Sequence, residues 1–356
     1  MSEVRAKKAL GQHFLVDLNI ARKICDALSG GVRPEAGAET RAVAAGSADA
    51  DAETRTRVAG YAGAGAEART MAAGSADAGA EARTKATGTA DADAETRRGV
   101  AASADARLAA DTTAAGAPAA AEEERGGAVP CDVLEVGCGM GVLTQFLLRR
   151  GDITTYGAEI DPESVEYLHA HFPEFAPRLI EGDFLKMNLR ERFPRGLKII
   201  GNFPYNISSQ IFFKVLENRD LVPECVGMIQ KEVAVRIAEP PGSKEYGILS
   251  VLLQAWYDIE YLFTVNETVF NPPPKVKSAV IRLRRNSVGR LGCDEALFVK
   301  VVKASFGQRR KMIRNSLRTV FGDFGGAEHP FFTQRAEQLS VADFVQLTNW
   351  VAANRK

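Results

Sequence analysis

The chain has 356 residues, of which 46% are hydrophobic and 25% charged, and its 45 basic and 45 acidic residues leave a formal net charge of zero. This length allows one large domain or two ordinary ones, and the composition is that of a globular protein. No apolar run reaches the ~18 residues of a membrane helix, and the first residues lack the apolar stretch of a secretory signal, so we expect a cytoplasmic protein. The five cysteines are scattered and the four histidines form no cluster, so we predict no metal site.

Charge is distributed unevenly along the chain. Residues 35–128 carry a net charge of −6, and the remaining residues therefore carry +6. Within that remainder, 275–318 holds 13 Lys or Arg against only Asp294 and Glu295. So large a local excess predicts a polyanionic partner, although a solvated basic helix face is the alternative.

The segment 35–128 is a repetitive insert. The tetrapeptide Ala-Glu-Thr/Ala-Arg recurs with a period of 14 residues, with its glutamate at 39, 53, 67, 81 and 95. The repeats lack the large apolar residues that a stacked solenoid would bury, and glycine works against a stable helix. We therefore predict a disordered or transiently helical insert in a surface loop before the first core strand, where closing a long loop costs little. A binding arm is the alternative.

A glycine-rich turn follows the insert. The pattern predicts a strand over 133–136 and a helix over 142–150, joined by a Glu-x-Gly-x-Gly-x-Gly turn of the kind at which backbone approaches a ligand closely. A dinucleotide fingerprint would place its third glycine one residue later. Glu159 ends the next apolar strand and can accept hydrogen bonds from ribose hydroxyls, with Asp161 as runner-up. Asp183 follows the third strand, where an acid can accept a hydrogen bond from the adenine amine of a cofactor.

The tetrapeptide Asn202-Phe203-Pro204-Tyr205 leaves the end of a fourth strand, 198–201. The Asn202 side-chain oxygen and the Pro204 carbonyl can both accept hydrogen bonds from one amino group, and the Tyr205 ring can stack on a flipped base. Methyl transfer needs the amine lone pair aimed at the methyl carbon, so catalysis here would be mostly positioning, with no side-chain general base required. The pattern indicates methylation of an exocyclic amine.

At this point the chain resembles the KsgA/RsmA family of ribosomal RNA adenine dimethyltransferases over nearly everything outside the insert. The resemblance rests on an ordered set of blocks: 10–15, 134–144, 159–161, 181–183, 201–209, 230–234, 246–251, 270–278 and 306–311. It implies an α/β, Rossmann-like class I S-adenosylmethionine-dependent methyltransferase with a small C-terminal all-α domain. It also implies dimethylation at N6 of two adjacent adenosines near the 3′ end of small-subunit (16S) ribosomal RNA.

The resemblance also implies site residues. Its cofactor contacts would be His13, Leu15, Gly137, Glu159, Asp183 and Asn202, with Pro204 and Tyr205 completing the catalytic loop. In the basic stretch we expect six side chains to contact RNA phosphates: Lys275, Arg309, Arg310, Lys311, Arg314 and Arg318. Three departures from the family pattern stand out: His13 in place of the commoner Asn, Phe203 in place of Leu, and the insert itself.

We therefore predict four segments. These are 1–34 as the N-terminal part of the methyltransferase domain, 35–128 as the insert, 129–286 as the Rossmann-like core, and 287–356 as a helical RNA-binding domain. The expected partner is the small ribosomal subunit and its rRNA, bound by a monomer without membrane or metal. Alternatives are an Erm-type large-subunit rRNA methyltransferase, a ribosome-assembly factor acting mainly by binding, and, least favoured, a nicotinamide-dependent dehydrogenase.

Overall fold

The computed structural model describes residues 4, 6–7, 10–30 and 130–355. The predicted disorder of 35–128 lies outside the described residues. The strands are β1 (Phe14–Leu15), β2 (Cys131–Val136), β3 (Ile153–Glu159), β4 (Leu179–Glu181), β5 (Lys198–Asn202), β6 (Glu224–Gln230), β7 (Tyr257–Val265), β8 (Phe270–Asn271) and β9 (Ser278–Arg285). The helices are α1 (Leu18–Ala27), α2 (Thr144–Leu147), α3 (Pro162–His171), α4 (Leu189–Arg192), α5 (Ser208–Glu217), α6 (Lys231–Ala238), α7 (Ile248–Gln254), α8 (Glu295–Gly307), α9 (Ile313–Phe321) and α10 (Val341–Asn354).

Seven of the strands form one twisted sheet in the order β4-β3-β2-β5-β6-β9-β7. The five from β4 to β6 are parallel, and β9 and β7 complete the sheet through antiparallel pairing. Apolar runs such as β5 and β6 are buried along almost their whole length, as expected where helices cover both faces. The sheet therefore ends in antiparallel strands, in which β9 lies between β6 and β7, and β7 is the outermost strand.

Side chains cap the first turns of α1, α8 and α10. Ser340 Oγ accepts a hydrogen bond from Asp343 N at 3.2 Å, and the Asp343 carboxylate accepts one from Ser340 N at 2.9 Å. This capping box makes Ser340 the N-cap of α10. The predicted helix 142–150 is too long, since only Thr144–Leu147 is regular. The residues after it form a tighter turn, in which Arg150 N bonds to Leu147 O, three residues back rather than four, at 3.1 Å.

Hydrophobic clusters lie on both faces of the sheet. One contains Val133, Ile200 and Met228 and is covered by residues of α1 and α2. The other runs from Leu134 through α5 and α7 into α8, α9 and α10, where Phe298 packs edge-on against Trp256 with ring centroids 6.0 Å apart. The C-terminal helices thus share a continuous core with the sheet, and the domain boundary at 286–287 stays a prediction.

The chain leaves for the insert and returns from it at the end of the sheet where the parallel strands begin. Lys198 and Glu224, the first residues of β5 and β6, form a buried ion pair at 3.1 Å. Lys198 Nζ also donates to Ser29 Oγ at 2.7 Å and to the Ser29 carbonyl at 2.9 Å. This network fixes the last described residues before the insert, and Pro130 re-enters at the start of β2.

The described residues offer neither a membrane-spanning helix nor a metal site. No helix among them combines the length and apolar character needed to span a bilayer. Nor do three or more His, Cys, Asp or Glu side chains in this part of the chain come together as a group that could hold a metal ion.

Candidate active site

The opposite edge of the sheet, where the parallel strands end, carries a cavity. The turn after β2 supplies one wall, and two of its glycines, Gly137 and Gly139, have φ angles of +76° and +54°. Residues with a side chain rarely adopt this left-handed backbone conformation, so glycines at these positions let the turn bend tightly. A Cβ on Gly139 would lie 3.1 Å from the Phe14 ring, whereas one on Gly137 would meet nothing closer than 3.9 Å. Backbone is therefore exposed to the cavity at Gly137.

Glu159, at the end of β3, is held by the backbone. Its carboxylate accepts hydrogen bonds from Gly139 N at 2.8 Å and from Ile160 N and Asp161 N at 2.9 Å. The side chain is only 4% exposed. Burial raises its pKa, and the three N–H groups oppose that rise. A carboxylate so fixed at the cavity wall suits a hydroxyl-bearing ligand such as a ribose.

Asp161 is engaged elsewhere. It is fully buried and does not line the cavity. Its carboxylate forms an ion pair with Lys7 and accepts hydrogen bonds from Gln12 at 3.3 Å and Ser164 at 3.0 Å. Burial opposes its ionisation, but these partners together lower its pKa. The arrangement favours Glu159 over Asp161 as the ribose acid and gives Asp161 a role in tying down the N-terminal segment.

Asp183 lines the same cavity from the loop after β4. Its Oδ1 accepts a hydrogen bond from Leu185 N at 2.9 Å, which caps the short 3₁₀ turn Phe184–Lys186. The preceding Gly182 has a φ of +145°, and a Cβ there would meet no atom within 4 Å. The loop thus presents one carboxylate beside open space.

Asn202 is the last residue of β5, and its amide orientation is set by the N-terminal segment. Asn202 Nδ2 donates to the His13 carbonyl at 3.0 Å. A carbonyl can only accept, so this bond identifies the nitrogen and leaves Oδ1 as the end available to a ligand. The Pro204 carbonyl accepts from Ile207 N at 3.2 Å, which uses one of its two lone pairs.

Tyr205 ends the tetrapeptide 202–205 and is half-buried. Its hydroxyl shares a 2.5 Å hydrogen bond with Ser278 Oγ, and burial raises its pKa. The His13 ring lies against it, with centroids 5.4 Å apart and planes tilted by 32°. His13 Nδ1 in turn donates to the Pro272 carbonyl at 2.9 Å. Strand β1 pairs with β8 and so brings His13 and Leu15 to the cavity.

All predicted cofactor and catalytic residues therefore line one cavity. They are His13, Leu15, Gly137, Glu159, Asp183, Asn202, Pro204 and Tyr205. The cavity also includes Glu135, which had no predicted role although it opens the glycine motif. Among the described residues that line it, three are carboxylic acids and none is Lys or Arg. A cavity lined by these acids suits a ligand that carries positive charge and hydroxyl groups.

Comparisons with known proteins identify the family. The family model described as "Ribosomal RNA adenine dimethylase" matches residues 130–353. The chain belongs to the ribosomal RNA adenine dimethylase family. It is 60% identical over 221 residues to "Ribosomal RNA small subunit methyltransferase A" of Bacteroides thetaiotaomicron. These aligned residues make up 62% of this chain and 82% of that protein. The protein of the same name from Porphyromonas gingivalis is 59% identical over 220 residues, 61% of this chain and 84% of its own.

A solved structure agrees. The dimethyladenosine transferase from Plasmodium falciparum is 25% identical, with a TM-score of 0.52, and the match covers 63% of this chain and 90% of that one. The resemblance to KsgA/RsmA enzymes and the Rossmann-like class I fold are thus confirmed. The enzyme class is confirmed too: the chain is an S-adenosylmethionine-dependent rRNA adenine dimethyltransferase. Its cofactor, S-adenosylmethionine, carries a sulfonium, an ammonium and ribose hydroxyls, which suit a cavity lined by carboxylic acids.

The predicted RNA-binding residues of this family member lie outside the cavity. Lys275 is exposed in the loop after β8, and Arg309, Arg310 and Lys311 are exposed in the turn between α8 and α9. No ion pair engages these four within the described part of the chain. Arg314 and Arg318 differ, because each forms an ion pair with a neighbouring acid, Glu328 and Asp323 respectively. The turn 308–311 is therefore the more available cationic surface.

Proposed function

We propose that this chain transfers methyl groups from S-adenosylmethionine to the N6 amines of two adjacent adenosines near the 3′ end of small-subunit ribosomal RNA, giving N6,N6-dimethyladenosine. Support comes from the family and from relatives that carry the name "Ribosomal RNA small subunit methyltransferase A". Those names favour a small-subunit substrate over the large-subunit alternative.

The observation that carries the proposal is the orientation of the Asn202 amide. Because the Asn202 side-chain nitrogen donates to the His13 carbonyl, Oδ1 remains free to accept a hydrogen bond from the target amine. The second lone pair of the Pro204 carbonyl can accept the other proton. Two acceptors on one amine fix the direction of its lone pair, and such positioning can supply several kcal/mol of rate enhancement.

Tyr205 and Glu159 would hold the two reactants. The Tyr205 ring, steadied by Ser278 and His13, offers a face on which an extruded adenine can stack. Glu159 would hold the ribose of the cofactor, and Asp183 its adenine amine. When bound, S-adenosylmethionine supplies an electrophilic methyl group, and each amine gives up one proton for every methyl it gains. No side-chain base is needed, because the proton can leave once the nitrogen is positively charged.

The RNA surface is also part of this proposal. We expect Lys275, Arg309, Arg310 and Lys311 to contact phosphates, which position RNA without reading its sequence. Arg314 and Arg318 would contribute only by exchanging Glu328 and Asp323 for phosphate. The enzyme would act in the cytoplasm as a monomer on the small subunit, and light scattering of the free protein and sedimentation with subunits would test its oligomeric state and its partner.

The test is labelled methyl transfer from S-adenosylmethionine to unmethylated small subunits, followed by digestion to nucleosides. Wild type should give dimethyladenosine at two adjacent positions. Asn202→Ala should lower the rate of methyl transfer by about 100-fold, which is the loss expected when a reactant is misplaced by about 1 Å. Binding to the subunit should not weaken. Asn349→Ala, which removes an exposed amide on α10, is the matched control. Tight binding without any labelled product from wild type would instead indicate an assembly factor.

A further inference from the structure

Asp161 is a buried acid that the reaction just described does not use. It follows Glu159 by two residues, and its backbone N–H donates to the Glu159 carboxylate at 2.9 Å. The Asp161 side chain is fully buried, and its carboxylate binds two side chains from the start of the chain, Lys7 and Gln12. A buried carboxylate needs such partners to offset its loss of water, so Asp161 is a firm attachment point for this part of the chain.

Lys7 and Gln12 are bonded to each other as well as to Asp161. The Lys7 N–H donates to Gln12 Oε1 at 2.8 Å, and the Lys7 carbonyl accepts from Gln12 N at 3.4 Å. Between them, Gly11 has a φ angle of +64°, and a Cβ there would lie 2.6 Å from Asn206 Oδ1. Only glycine allows so close an approach in this conformation. The chain anchored at Asp161 therefore passes directly over the residue that follows the tetrapeptide 202–205.

His13 comes next in the chain, and its carbonyl sets the orientation of the Asn202 amide. That carbonyl accepts the hydrogen bond from Asn202 Nδ2 at 3.0 Å, which leaves Oδ1 for the target amine. The chain immediately after His13 is held by the pairing of β1 with β8, and the His13 ring bonds to the Pro272 carbonyl at 2.9 Å. Both of these contacts lie on the β8 side. Asp161 holds the chain on the other side, immediately before His13.

We propose that Asp161 is a positioning residue for methyl transfer: by anchoring Lys7 and Gln12, it places the His13 carbonyl so that the Asn202 amide presents Oδ1 to the target amine. The inference rests on the proposed function, because the target amine belongs to that reaction. Asp161 touches neither substrate nor cofactor in this assignment and acts only through the start of the chain. Its backbone also supports Glu159, so the short turn 159–161 serves both the cofactor side and the target side of the site.

The first test is single-turnover methyl transfer to unmethylated small subunits at saturating S-adenosylmethionine. Asp161→Asn keeps the size of the side chain and removes its charge. The rate should fall about tenfold, because a displaced Asn202 amide no longer directs the amine lone pair. Lys7→Met should lower the rate by a similar factor, whereas Lys7→Arg should retain most of it, since arginine can still pair with the carboxylate.

Two control variants remove acids from the surface. Asp220→Asn breaks the exposed ion pair with Arg190, which joins the two side chains at 2.6 Å, and Glu217→Gln alters an exposed acid at the end of α5. Both controls should transfer methyl groups at the wild-type rate, because neither acid lies at the cavity.

An Asn202→Ala background separates positioning from a general loss of structure. If Asp161 acts through the Asn202 amide, Asp161→Asn should lower the rate no further once that amide is gone. If Asp161 merely supports the fold, its loss of about tenfold should persist undiminished in the double variant, and the inference would be overturned.

Hydrogen exchange of the cofactor-free protein gives a readout that does not depend on activity. The backbone amides of 10–15 should exchange about tenfold faster in Asp161→Asn, because the loss of an anchor makes local opening more frequent, whereas those of β5 should not change. A wild-type transfer rate in Asp161→Asn, or unchanged exchange over 10–15, would overturn the inference. Absence of methyl transfer by the wild-type protein would instead contradict the proposed function.

Discussion

Glu135 should make the stability of the cofactor-free protein depend on pH. Its pKa is raised from the ordinary 4.5 to about 8 in the folded state, with burial as the main cause. An acid whose folded pKa is raised contributes stability that is fully present below its unfolded pKa and is lost as pH rises through its folded pKa. The affected window is therefore from about pH 4.5 to pH 8.

The size of the effect follows from the same values. Each unit of pKa corresponds to about 1.4 kcal/mol, so the whole window is worth on the order of 5 kcal/mol of unfolding free energy. Between pH 6 and pH 9 the share is about 3 kcal/mol. Glu135→Gln resembles the protonated acid at every pH, so it should lose nothing from this source.

Urea denaturation of both proteins at pH 6, 7, 8 and 9, without cofactor, measures this directly. The unfolding free energy of Glu135→Gln should rise relative to wild type by about 3 kcal/mol across the series, and Glu217→Gln should stay parallel to wild type. A difference between wild type and Glu135→Gln that does not change with pH would show that Glu135 ionises normally in the folded protein, and the reasoning would fail.

Three further predictions concern packing, the buried ion pair and the insert. Gly227→Ala should cost about 1–3 kcal/mol in urea denaturation, because its Cβ would lie 2.5 Å from the Phe203 ring, and Phe203→Leu should recover most of that loss; an additive double mutant would contradict it. Lys198→Ala should lower unfolding free energy by about 1–3 kcal/mol, because the buried Glu224 carboxylate would lose its nearer cation and keep only Arg284 at 3.8 Å and the Ser29 hydrogen bonds; an unchanged unfolding free energy would refute this. Deleting 35–128 should leave methyl transfer to small subunits unchanged, and an inactive deletion protein would count against a dispensable insert.

Much of the site could be predicted because the signals are local. Glu159 and Asn202 each end an apolar run that is followed by a turn, and Asp183 lies shortly beyond a third such run. Parallel strands end at one edge of a sheet, so their terminal side chains converge there. The glycine turn adds its own local signal. Strand ends in a parallel sheet thus turn a one-dimensional pattern into a three-dimensional site.

The features that escaped prediction depend on pairs far apart in the chain. The bond from Asn202 Nδ2 to the His13 carbonyl joins residues 189 positions apart, and it decides which end of the amide meets the ligand. The pairing of β1 with β8 is equally remote. Glu135 escaped for a different reason: a charged residue in an apolar strand gives no sign of which face it occupies or which groups it meets there.

The described residues that flank the insert lie away from the cavity. The last described residues before it are held by Lys198 and Glu224 at the starts of β5 and β6, and the chain returns at Pro130, immediately before β2. Both connections are at the edge where the parallel strands begin, whereas Glu159 and Asn202 lie where strands end. Because the Ser29 hydrogen bonds hold the chain before it leaves, we expect the geometry of α1 and β1 to be independent of the length of the insert. His13, whose carbonyl orients Asn202, should then keep its place in the deletion protein, which is why we expect that protein to retain activity.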